Sequence, residues 1–260
     1  MKIASFNVNS LKARLENLKD WLKDAEPDVV CLQETKSTDE TFPRGDLEEL
    51  GYNLAIHGQK TYNGVAILSK FPLEDVQIGL PGDDSDDHAR YIEAVIPAGD
   101  TVLRVASIYL PNGNPIGTDK FTYKLDWMDR LKARAEELLS YEEALVLAGD
   151  YNVIPTADDV YDPKAWEGDA LFQPESRAKL REIINLGFTD AFRACHTEPH
   201  RYTFWDYQAG RWQKGQGIRI DHLLLSPQAA DRLVACDIDE EPRGREKPSD
   251  HTPIWAELEF

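Results

Sequence analysis

Short apolar runs that end abruptly in polar side chains recur along this chain. Residues 145–148 (LVLA) are continuously apolar, as in a strand buried on both faces. They stop at Gly149, and Asp150, Tyr151 and Asn152 follow. In open α/β sheets, ligand chemistry gathers beyond the carboxyl ends of such strands. Side chains two apart in extended chain point the same way, which sets the Asp150 carboxylate beside the Asn152 amide. Taken alone, the stretch reads as a strand and a turn, because turns favour Gly, Asp and Asn.

The chain opens on the same pattern. Residues 2–8 alternate as a strand ending in Asn7 and Asn9, and Asn9 or Ser10 can cap a helix in which Leu11, Leu15, Leu18, Leu22 and Ala25 recur at helical spacing. Pro27 closes that helix, and residues 28–32 form a second strand running into Gln33, Glu34 and Thr35. A strand, helix, strand unit predicts parallel neighbours joined right-handedly, with Asn7 and Glu34 on one edge. Residues 52–57 and 64–69 read as a hairpin, as do 91–96 and 101–109 around PAGD, while 82–88 is an acidic loop. A long helix then presents Phe121, Leu125, Met128, Leu131, Ala135 and Leu138 on one face. Beyond Asn152, residues 155–175 show no period, a helix covers about 176–185, a strand runs from 218 to 225, and alternation resumes through Ile254, Ala256, Leu258 and Phe260. ASFNVNS and LAGDYNV echo each other, suggesting two similar halves packed sheet on sheet. With no Gly/Ser- or Pro-rich linker, residues 1–260 are expected to form a single α/β domain.

Composition narrows the setting. Acids outnumber bases by 47 to 29, giving a formal charge of -18, which disfavours polyanionic partners unless bases cluster locally. The three cysteines, Cys31, Cys195 and Cys236, form no CxxC pair, which points to a reducing compartment and away from a disulfide framework or structural zinc. No charged and apolar leader precedes the first strand, and no apolar run approaches a membrane span, so a soluble cytoplasmic protein is expected.

Asn7, Glu34, Tyr109, Asp150, Asn152, Asp221, Asp250 and His251 come from six segments, most of them just past an apolar run. One such residue is ordinarily a turn or cap; six segments ending this way suggest a shared site. Hard oxygen donors without a Cys or His cluster suit Mg²⁺, with Mn²⁺ as a substitute. Such a metal beside an imidazole and a carboxylate fits attack of water on phosphorus. A lone histidine is more often structural, but His251 follows Asp250 and precedes a strand, and Asp221 can accept its ring N–H. His222 faces away from Asp221 along its strand and reads as structural.

The motifs SFNVNS, LQETK, HGQK, NGVAILSK, YLPNG, GDYNV, FTDAFR, YTFWDY, IRIDHLLLS and KPSDHTPIW, in this order, resemble the exodeoxyribonuclease III (AP endonuclease) family of endonuclease/exonuclease/phosphatase folds. The resemblance spans essentially the whole chain. It implies a four-layered α/β sandwich with two central, mostly antiparallel sheets. It also implies a Mg²⁺-dependent DNA repair hydrolase that digests duplex 3′ ends, clears blocked 3′ termini and incises abasic sites. By motif, Glu34 holds the metal with Asn7 nearby, and Asp150, Asn152, Asp250 and His251 surround a second or alternative position. Tyr109 contacts the scissile phosphate, Asn152 donates to its oxyanion, Asp221 orients His251, and Asp150 is the expected acid/base. Phe204, Trp205 and Ile218 match an apolar pocket for a sugar without its base. Asn9 and Asn112 are expected near the substrate.

The acidity can be weighed against local charge. Residues 208–220 hold Arg211, Lys214 and Arg219 and no acid, with Trp212 among them, and Arg243, Arg245 and Lys247 precede the SDH motif. Arg90, Lys120 and Lys124 are further bases for phosphate contact. The expected partner is double-stranded DNA with abasic sites or 3′ ends, bound by a monomer with no membrane. The alternatives are a phosphatase or phosphodiesterase of another substrate class on the same fold, and a catalytically silent DNA-binding or scaffold protein.

Overall fold

The computed structural model describes residues 1–260. In chain order the strands are β1 (Lys2–Asn7), β2 (Val29–Gln33), β3 (Asn53–His57), β4 (Val65–Ser69), β5 (Glu74–Ile78), β6 (Tyr91–Ala98), β7 (Thr101–Tyr109), β8 (Ala144–Asp150), β9 (Thr189–Asp190), β10 (Asp221–Leu225), β11 (Leu233–Ile238) and β12 (Ile254–Leu258). The helices are α1 (Leu11–Ala25), α2 (Arg44–Glu48), α3 (Asp119–Leu139), α4 (Pro174–Ile184), α5 (Ala191–Cys195) and α6 (Pro227–Ala230). One sheet runs β11-β12-β1-β2-β4-β3, the other β5-β6-β7-β8-β10-β9. Only β1–β2 and β7–β8 are parallel pairs; the remaining pairs are antiparallel.

Strand alternation builds the layers. Ile3, Val29, Cys31 and Ile67 from the first sheet meet Ile92, Val105, Val146 and Leu223 from the second in the inter-sheet core. Their neighbours Ala4, Val30 and Leu68 point outward and seat α1 through Leu11, Leu18, Trp21 and Leu22. On the far side Ala106, Leu145 and Leu147 seat α3 and α4. The result is a four-layered α/β sandwich.

Taken position by position, the two sheet orders are identical in pairing sense, so the halves are pseudo-symmetric. The equivalence is not the one the sequence echo suggests. β1 matches β7 and β2 matches β8, since each pair is parallel and joined by a long crossover helix. Asn7 is thus the counterpart of Tyr109, and the end of β2, before Glu34, that of Asp150. β1, β2, β7 and β8 end on one edge; β10 begins there, with Asp221 opposite Asp150, and β12 begins there beyond His251. That edge carries the site.

Other expectations are corrected. β5 and β11 lack a clean apolar alternation because they are edge strands, β5 exposed along its whole length. The strand expected from 218 begins at Asp221, and Ile218 makes only isolated bridges to Val160 and Phe204. Neither Asn9 nor Ser10 caps α1 with its side chain; the first amides reach the carbonyls of Glu34 and Thr35 instead. On α3 the buried face includes Lys124 and Trp127, while Phe121 and Leu125 are half-buried.

Gly149 fits only as glycine, because a Cβ there would lie 2.0 Å from the Ile108 carbonyl oxygen on the neighbouring strand. Gly149→Val is therefore expected to lose about 3 kcal/mol of stability by overpacking. Urea unfolding checks this, and an unchanged midpoint would contradict the tight β7–β8 approach.

Candidate active site

At that edge Asn7 occupies the centre. Its side-chain amide donates to Glu34 Oε1 and to Asp150 Oδ2, each at 2.9 Å, so one residue of β1 ties together carboxylates from the two sheets. Glu34 leaves β2 in the left-handed region (φ 52) and Asn152 follows β8 likewise (φ 47). Asparagine tolerates this conformation, glutamate less readily, and such strain persists where the surroundings hold it in place. Lys36 Nζ sits 2.8 Å from Glu34 Oε2, a contact that the K of LQETK could have signalled. His251 Nδ1 is 2.8 Å from Asp221 Oδ2, and its Nε2 is 3.6 Å from Asp150 Oδ2. The Phe204 ring meets the imidazole nearly edge-on at 5.0 Å.

Burial and charge set the proton balance. Burial pushes Asp150 up from the ordinary carboxylate range, and Asp221 and Glu34 add to the rise while His251 opposes it. Burial alone would strip the proton from His251, but Asp221 and Asp150 hold its pKa up, to about 10. Glu34 stays below its ordinary value: burial raises it, and Lys36 and Asn7 more than compensate. The Tyr109 phenol is driven well up by burial and by Glu34 and Asp150, so it remains a neutral donor.

Donor atoms of Glu34, Asp150 and His251 lie within 4.8 Å of one another, a spacing that can hold a metal ion. Asp221 Oδ1 is buried without a hydrogen-bond partner. The donor set suits a hard divalent cation. Asp250 is not part of this cluster. Asp250 Oδ1 accepts from Asn9, and the Asn152 amide donates to the Leu110 carbonyl while its oxygen accepts from Asn112.

Beside His251, Phe204 and Ile218 line a cavity of about 180 Å³ with Tyr161, Trp166, Asp169 and Arg211. Trp205 does not line it; it is buried, packed against Tyr202 and Trp212. Trp212 in turn lies against the Arg243 guanidinium. Arg90, Asn112 and Lys120 line a second cavity of about 550 Å³.

Several bases marked for phosphate contact are consumed inside the fold. Arg219 is buried on Asp159 and Asp190, Arg243 is buried with a hydrogen bond to the Trp205 carbonyl, and Arg245 pairs with Asp24 and Glu241. Lys124 is fully buried. Sequence cannot separate these from Lys214 and Lys247, which are exposed. His222, buried between Arg219 and the Val153 carbonyl, is placed as a structural residue.

A family model described as the endonuclease/exonuclease/phosphatase family matches residues 4–251. The chain belongs to that family. It is 35% identical to exodeoxyribonuclease III of Haemophilus influenzae over 266 residues, covering 99% of this chain and 100% of the relative. Among solved structures, an AP endonuclease from Archaeoglobus fulgidus superposes with a TM-score of 0.95 at 39% identity, covering 100% of both chains. A 3′ phosphatase from Neisseria bound to a product DNA hairpin matches with a TM-score of 0.95 at 37% identity, again over 100% of both chains. No helix is long and apolar enough to cross a membrane.

In the metal-free protein His251 is expected to stay protonated at pH 8, because its raised pKa preserves the charged form until pH passes the folded value. Asp221→Asn removes the largest raising charge and should bring the midpoint back toward 6.5. An NMR titration of the imidazole checks this; a neutral ring at pH 7 in the wild type would contradict the pairing.

Proposed function

We propose that this chain is a Mg²⁺-dependent DNA repair hydrolase. It removes nucleotides from duplex 3′ ends, clears blocked 3′ termini and incises at abasic sites. The observation that carries the reading is the Glu34, Asp150 and His251 cluster beside the cavity lined by Phe204 and Ile218. Its relatives include an exodeoxyribonuclease III, an AP endonuclease and a 3′ phosphatase bound to DNA.

Each residue has a part that follows from its surroundings. Glu34 and Asp150 would hold the divalent cation, Mg²⁺ or Mn²⁺ in its place, with Asn7 keeping the two carboxylates in register. When bound, the cation supplies positive charge against the scissile phosphate. Asp150, facing the His251 imidazole at the mouth of β8, accepts the proton of the attacking water. His251, fixed by Asp221 beside Asp150, serves as a donor to the phosphate. Tyr109 and Asn152 donate to the phosphate oxygens as charge builds. The bond between phosphorus and the 3′ oxygen then breaks, and that oxygen takes up a proton from solvent.

The cavity offers an extrahelical sugar an apolar wall of Phe204, Ile218, Tyr161 and Trp166, which favours flipped abasic residues. Arg90, Lys120, Arg211 and Lys214 provide the phosphate contacts on an otherwise repelling surface. Free thiols at Cys31, Cys195 and Cys236 agree with a cytoplasmic setting, and we take the working unit to be a monomer.

Purified protein with Mg²⁺ is expected to cleave both an abasic duplex and a recessed 3′ end, and chelator should abolish both reactions. Asn152→Ala should lower kcat by about 10²–10³-fold. A wild-type preparation that leaves both substrates intact would overturn the reading. A second measurement concerns salt: replacing Arg211 and Lys214 by Ala should flatten the dependence of log affinity on log salt by roughly two phosphate contacts. An unchanged slope would remove that loop from the DNA interface.

A further inference from the structure

Lys124 interrupts an otherwise apolar face of α3. Trp127, Met128 and Leu131 follow it into the core, and Lys124 is as buried as they are. A buried cation is costly unless something specific compensates it. Here no carboxylate pairs with it. Its Nζ donates to two main-chain carbonyls, of Asn112 at 3.0 Å and of Asn152 at 2.5 Å.

Those carbonyls belong to two neighbouring turns, which also meet where the Asn152 side-chain amide donates to the Leu110 carbonyl. Asn112 lies in the YLPNG turn after β7, Asn152 in the turn after β8. The side chains of the same two residues meet, Asn112 Nδ2 donating to Asn152 Oδ1 at 3.3 Å. Asn152 is further fixed by its own backbone N–H on Asp150 Oδ1, at 2.9 Å. Gly113 makes room for this arrangement: its φ is +86, and a Cβ there would fall 2.6 Å from Lys124 Cδ. A space-filling role would be met by Met or Leu, which would leave both carbonyls without this donor.

We propose that Lys124 is a positioning residue for hydrolysis, its head group clasping the Asn112 and Asn152 backbones so that their side-chain amides face the phosphate as one fixed pair. This rests on the reading of Asn152 as a donor to the phosphate. Lys124 touches neither substrate nor metal; it acts through the two asparagines. It fixes where the Asn152 amide stands before the charge develops, which is when preorganised donors act.

The test is Lys124→Met, with kcat, KM, the Mg²⁺ half-saturation point and the melting temperature measured on an abasic duplex. The expected result is a fall in kcat of about 10- to 100-fold, with KM and Mg²⁺ half-saturation within about threefold of the wild type. In an Asn152→Ala background the same substitution should cost less than about threefold more, because the two residues act as a unit. An unchanged kcat, or an equal loss in both backgrounds, overturns the proposal. Lys124→Gln, which keeps one donor, replaces the Met variant should that fail to fold, with a smaller kcat loss expected and the same overturning results. A wild type inactive on the duplex would instead defeat the hydrolase reading itself, before Lys124 is in question.

Discussion

Buried charge has to be compensated within reach, and the active edge of this protein is organised by that requirement. Asp150, Asp221 and His251 are almost fully buried, and each is sustained by the others: the imidazole bonds Asp221 and faces Asp150. Asp150 and Asp221 belong to one sheet, while His251 precedes a strand of the other. The trio exists only when the sheets pack, so the apolar layer between them positions the chemistry. Buried ion pairs rarely add stability over apolar packing of the same shape. Their retention at this edge is better understood as a functional requirement than as a device for holding the fold.

The same logic recurs one layer outward. Arg219, two residues before Asp221, is buried on Asp159 and Asp190 and against His222. Asp159 also accepts from Arg193 and from Thr156, which fixes the loop beyond Asn152 to the start of β10. Lys124 ties the turns after β7 and β8. The turns that carry the site are therefore braced by buried polar contacts, while the strands behind them are braced by apolar packing. The left-handed backbone at Glu34 is held in place by such a frame.

Much of this was legible in the sequence because strands buried on both faces leave an unmistakable apolar run. The runs ending at Asn7 and Gln33 gave one parallel pair, and the polar ends of all four strands gave the common edge; the parallel pairing of β7 with β8 was not read. The edge strands β5 and β11 were not legible, β5 because it is exposed along its length and β11 because a register shift between Leu233 and Ala235 breaks its alternation. Nor was the symmetry: similar letters near Asn7 and Asp150 suggested equivalence, but connectivity pairs Asn7 with Tyr109. Asn7, Glu34, Asp150, Asp221 and His251 were named separately from strand ends and motifs, and the structure brings their side chains to one edge. What could not be read was which basic side chains face solvent. Arg219, Arg243 and Lys124 resemble the exposed Lys214 and Lys247 in sequence and differ in finding partners inside. Trp205 likewise matches a pocket motif, yet packs behind the pocket beside Phe204.

A surface with a charge of -18 must hold DNA through a small number of basic contacts, so chemistry and specificity rest on the buried edge more than on overall attraction. The central claim is that this edge hydrolyses a phosphodiester by direct attack of water. Single-turnover incision of an abasic duplex in ¹⁸O-labelled water tests it most directly. The account predicts one ¹⁸O atom in the 5′ phosphate of the released fragment, with a free 3′ hydroxyl on the other. An unlabelled 5′ phosphate, as strand scission by elimination would leave, would contradict it.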